Sequence, residues 1–137
     1  MDAFTPRARR TAPAAAASTG WRLGEAEREA LLERFPPAYP QVHARHVALK
    51  IAARARERLP EACWGRVVGH VDDDAGMQCL VVEVEGATLR WDGGVFHFCW
   101  SLDPALGRRP VEANGVIAWL GWTPIEPVVV SLVPARF

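Results

Sequence analysis

The chain has 137 residues, half of them apolar, with 16 basic and 16 acidic side chains. That length bounds one domain with a real core. The balanced charge gives no sign of a nucleic-acid partner, and no apolar run approaches the roughly 20 residues of a membrane-spanning helix. Three cysteines without a C-x-x-C pair do not suggest a disulfide framework and fit a reducing, cytoplasmic compartment.

In chain order, residues 1–19, MDAFTPRARRTAPAAAAST, are rich in Ala, Arg, Pro and Thr. They offer too little apolar surface to offset chain entropy, so a disordered tail is expected there, with one domain over residues 20–137. The Arg9-Arg10 pair before an Ala run is only a faint likeness of an export signal. From Leu23 to Phe35, apolar residues at 23, 26, 30, 31 and 35 predict a helix, stopped by Pro36 and Pro37. ARHVALKI alternates as a strand, with Val47, Leu49 and Ile51 on one face and His46, Ala48 and Lys50 on the other. AARARERL is a short helix candidate. GRVVGHV and QCLVVEVEG read as strands on either side of the acidic turn DDDAG. ATLRW, DGG and VFHFCWSL read as a hairpin, because Asp-Gly between alternating runs is a strong turn signal. VIAWLGW fits helix or strand, and PVVVSLV closes the chain as a strand. The sum is an α+β domain with mostly antiparallel strands.

Two histidines stand out. His97, Cys99 and Ser101 share one face of their strand, as His46, Ala48 and Lys50 do on theirs, and each opposite face is apolar. Two imidazoles flanking one phosphate suit acid–base work, since their unperturbed pKa lies near 6.5. Lys50 lies roughly 13 Å along the strand from His46, within reach of an anion only if it leans back.

HVAL at His46 and HFCW at His97, with FPPAYPQVHARHVALK before the first and SLDPALGRRPVEAN after the second, resemble the 2H phosphoesterases. These are the LigT-like, RNA-ligase-like group, and the context is similar to their RNA-repair-associated branch. The resemblance covers residues 20–137. It implies two small antiparallel lobes with pseudo-twofold symmetry around a cleft. It also implies metal-independent phosphodiester hydrolysis at 2′,3′-cyclic phosphate ends of nucleotides or RNA, without a cofactor. His46 and His97 match the two catalytic histidines, and Lys50, Cys99 and Ser101 become the candidates for holding substrate. The pattern departs where the family has hydroxyls: Ala48 and Cys99 stand two residues after each histidine, and Ala113 replaces a Ser in the Pro-x-x-Ser-Asn run, with Asn114 retained. A missing oxyanion donor costs about 10²- to 10³-fold. A non-catalytic module binding a phosphorylated ligand or a protein partner is therefore the second reading.

Blander readings cover the remaining signals. His43 and His46 would share a metal only on a helix. Cys99 beside His97 rarely meets attack geometry on a strand. Arg45, Lys50, Arg54, Arg56 and Arg58 suit a solvated face, His70 a structural role, and Asp72–Asp74 a charged turn. The six tryptophans are expected mainly in the core.

Overall fold

The computed structural model describes residues 17–137. Most of the expected tail lies outside them, but Ala17, Ser18 and Thr19 open strand β1 (Ala17–Leu23), where Thr19 is fully buried. There follow α1 (Glu25–Arg34), the two-residue β2 (Gln41–Val42), β3 (His46–Ala53), β4 (Cys63–Asp72), β5 (Met77–Val84) and β6 (His97–Leu102). Two 3₁₀ turns, α2 (Ala113–Leu120) and β7 (Thr123–Arg136) complete the chain.

The sheet runs β6-β3-β1-β7-β4-β5, and β5 pairs back onto β6, so six antiparallel strands close into a barrel. This corrects the two-lobed α+β expectation. The cause lies in β7. Its far half pairs with β1 from Leu132 to Arg136, and its near half pairs with β4 from Thr123 to Leu132. One 14-residue strand thus joins both halves of the sheet, and no cleft divides them. Closure also leaves no long open edge for another chain to pair with.

Strand alternation fills the interior. Val47, Val67, Leu80, Val82, Phe98, Trp100, Val130 and Leu132 pack together there, all essentially inaccessible. Each large side chain so buried contributes about 1.5–3 kcal/mol relative to exposure. The Trp100 indole N–H donates to the Phe35 carbonyl at 2.7 Å, which satisfies the polar atom this burial would strand. Leu31 of α1 joins the same cluster, and α1 ends where the sequence predicts, before Pro36.

A second core lies outside the barrel. Met77, Cys79 and Val81 of β5 pack against Ala113, Val116 and Ile117 of α2. Strand β5 is therefore buried on both faces, which accounts for its unbroken apolar run. The ambiguous VIAWLGW segment belongs to α2 up to Leu120, and Gly121 at φ +71° ends the helix. The expected helix at AARARERL does not form: β3 runs on through Ala53 and then gives way to a turn and loop. There the Arg136 guanidinium donates to the carbonyls of Arg54 and Glu57, fixing the segment as a loop.

Strands β2 and β3 act as one strand with a break. Gln41 and Val42 pair with Leu102 and Ser101, and Val47 pairs with Phe98, two residues out of step. Ala44 takes up the slack at φ +53°, a conformation that costs a non-glycine residue roughly 1–2 kcal/mol. Arg28 of α1 holds the kink, donating to the carbonyls of Ala44 at 3.0 Å and His43 at 3.1 Å.

Candidate functional site

The Val47–Phe98 pairing fixes where the histidines go. With those two side chains inside the barrel, His46, Ala48, His97 and Cys99 all face outward on the β3–β6 seam. His46 precedes Val47 and His97 precedes Phe98, so the two histidines sit on neighbouring strands beside that pair.

This wall forms the floor of a cavity of about 450 Å³. Arg90 from the β5–β6 hairpin, Val111 and Asn114 from the α2 approach, and Phe137 from the end of β7 supply its other sides. Most of the lining is apolar, and its size is that of a small-molecule site.

His97 is held by its own strand. Nδ1 lies 2.7 Å from the Val95 carbonyl oxygen, which only accepts, so Nδ1 carries the proton. Nε2 is left with its lone pair and no hydrogen bond to the described residues. Burial pulls the His97 pKa below the usual imidazole range and the Arg90 guanidinium adds to this, while the Val95 hydrogen bond opposes it. His46 lies flat on Phe137, ring centroids 4.2 Å apart and planes 11° apart. Its pKa is also lowered, first by burial and then by Arg45 and Arg22. Both imidazoles are therefore neutral at neutral pH, so the wall holds bases and no imidazolium acid.

Arg90 was not singled out by the sequence reading. Its side chain is 3% exposed, and its Nε and Nη2 grip Asp92 at 2.9 and 3.1 Å. The third nitrogen, Nη1, is buried and has no hydrogen-bond partner among the described residues. Such groups are rare and call for an explanation. Gly94 makes the arrangement possible, because a Cβ there would sit 2.4 Å from Nη2 and 2.9 Å from Cζ. The available signal was the R-x-D-G-G spacing: an arginine followed by its carboxylate two residues on, and then by two glycines. Asn114 completes the polar rim. Its Oδ1 accepts the Val95 N–H at 2.9 Å, which leaves its NH₂ as a donor.

The remaining candidates divide. Cys99 lines the cavity, and burial pushes its thiol up to about 11, so it stays protonated and is no nucleophile. Ser101 is wholly buried away from the cavity. It donates to Gln78 Oε1 at 2.6 Å and accepts from the N–H groups of Ala38 and Tyr39. Lys50 turns to Glu57 at 2.7 Å and does not line the cavity. Of the basic run, Arg45 alone reaches the rim. His43 bonds Gln41 at 2.8 Å, and the described residues contain no cluster of three or more metal-ligating side chains. His70 stacks on Phe35 and meets Gln78. In the acidic turn Asp72 and Asp73 accept backbone N–H groups, and Asp73 pairs with Arg108 at 2.7 Å. Only Trp21 and Trp100 reach the core; Trp64, Trp91 and Trp119 are more than two-thirds exposed.

Among the described residues no helix is long and apolar enough to cross a membrane. The chain matches no family model, no curated protein and no solved structure.

Proposed function

We propose that this barrel is a binding module for a small organic anion, seated in the outer-wall cavity over the β3–β6 seam. The observation that carries this reading is Arg90 on the cavity lining, whose Nη1 is buried with no hydrogen-bond partner among the described residues. A buried N–H of a cation gains most from an anionic oxygen, and leaving it unpaired costs about 1–3 kcal/mol or more. The apolar lining around it suits a ligand with a hydrophobic body. The test is a titration of labelled protein with phenylacetate, followed by amide NMR. Saturable shifts at Ala48, His97 and Asn114, weakened in Arg90→Lys with the rest of the spectrum kept, are the expected result. An unchanged spectrum at 10 mM ligand refutes the reading.

A second reading has one observation in its favour: the strand register brings His46 and His97 into one cavity wall. On it, the protein hydrolyses 2′,3′-cyclic phosphate ends of nucleotides or RNA without a metal. The two neutral imidazoles and the absence of hydroxyls at Ala48 and Cys99 make it the weaker one. Turnover of a cyclic nucleotide in the presence of a chelator, abolished in both His46→Ala and His97→Ala, would put it first.

A further inference from the structure

We infer that the ligand of this cavity is a singly charged carboxylate that also presents a hydroxyl to His97 Nε2, rather than a dianion such as a phosphate monoester. This inference rests on the anion-binding reading and names the chemistry of its ligand.

Three features of the wall lead to it. The Arg90 charge is already matched by Asp92 through two hydrogen bonds, so Nη1 keeps an N–H without a partner among the described residues and with little uncompensated charge behind it. The second donor, the Asn114 NH₂, is neutral. Among the described residues the other arginine on the lining is Arg45, which is half exposed and bridged to Glu25 at 3.1 Å. Such a wall stabilises one negative charge and leaves a second one poorly compensated in a largely apolar cavity.

His97 adds the second requirement. Its Nδ1–H is committed to the Val95 carbonyl, so on this lining residue Nε2 is left as the acceptor. A lone pair repels an anionic oxygen and binds an O–H. The complementary head group therefore carries an anionic oxygen for Arg90 and Asn114, and an adjacent hydroxyl for His97. A 2-hydroxy carboxylate has this pattern. The apolar surface of Val42, Ile51, Val111 and the His46–Phe137 stack receives its body.

Three probes of matched size test this by calorimetric titration at about pH 8, where a phosphate monoester is a dianion. Mandelate has the carboxylate and the hydroxyl, phenylacetate lacks the hydroxyl, and phenyl phosphate carries two charges. The expected order is mandelate first, about 3- to 10-fold tighter than phenylacetate, the value of one ordinary hydrogen bond. Phenyl phosphate is expected to bind least. His97→Phe should remove the preference for mandelate while phenylacetate still binds. If phenyl phosphate binds tightest, or mandelate and phenylacetate bind alike, this inference fails and the anion-binding reading stands. If none of the three binds, both fail.

Discussion

Gly94→Ala tests whether the hairpin holds Arg90 as described. The new Cβ would sit 2.4 Å from Nη2, 2.9 Å from Cζ and 3.1 Å from Nε. Ordinary van der Waals contact begins near 3.4 Å, so the guanidinium must move by about 1 Å. An exposed arginine would swing aside at no cost. This one is 3% exposed and tied to Asp92 at 2.9 and 3.1 Å, and that shift takes both bonds past hydrogen-bond length. Overpacking and loss of a partly exposed, charge-assisted pair together amount to about 1–3 kcal/mol. Asp92, held below the usual carboxylate range chiefly by its Arg90 hydrogen bonds, should titrate higher in the variant. Urea unfolding with an unchanged slope measures the first effect, and carboxyl NMR the second. Gly93→Ala is the control. Gly93 sits at φ +88° with nothing near its Cβ, so that variant should cost about 1 kcal/mol through backbone strain and leave Asp92 where it was. A Gly94→Ala protein as stable as the parent, with Asp92 unmoved, would refute the clamp and with it the fixed position of Nη1.

Three further outcomes follow from the same geometry. His46 and His97 both titrate below 6.5 in the fold, so below that pH the unfolded chain binds more protons than the native one. Stability should therefore be full above pH 6.5 and fall as pH drops below it, a fall reduced in His97→Gln, as urea midpoints across pH will show. Asn114→Ala leaves the buried Val95 N–H without its acceptor and should cost about 1–3 kcal/mol, with faster hydrogen exchange at that amide. Trp100→Ala empties the centre of the barrel and should cost about 3–5 kcal/mol, whereas Trp119→Ala, at an 84% exposed position, should leave the thermal midpoint unchanged.

Much of the local structure was legible in the sequence because it follows from alternation and punctuation. The strand faces at His46–Ala48 and His97–Cys99, the stop at Pro36 and the Asp-Gly turn are local facts, and each stands in the structure. The barrel was not legible, since closure depends on which distant strands meet, and the pivotal β7 reads locally as only a short apolar run. Ser101 shows a similar limit. Periodicity assigns it to the face of His97, but a register shift between the Cys99 and Ser101 pairings turns it toward Gln78 and the chain at Ala38–Tyr39. Lys50 was placed on the face of His46, yet a register shift between the Ala48 and Lys50 pairings reverses the alternation, so Ile51 lines the cavity and Lys50 pairs with Glu57. Arg90 was hidden because in TLRW the charged residue points inward while Leu89 and Trp91 are exposed, the reverse of what hydropathy suggests.

The most direct test of the cavity as a site for a hydroxyl-bearing carboxylate is the imidazole ¹⁵N spectrum of His97 with and without mandelate. The free protein should show a protonated Nδ1 and a bare Nε2, and the ligand should move the Nε2 resonance as it accepts a hydrogen bond, with Nδ1 unchanged. A His97 spectrum indifferent to saturating ligand, or one showing the proton on Nε2 in the free protein, would contradict the account.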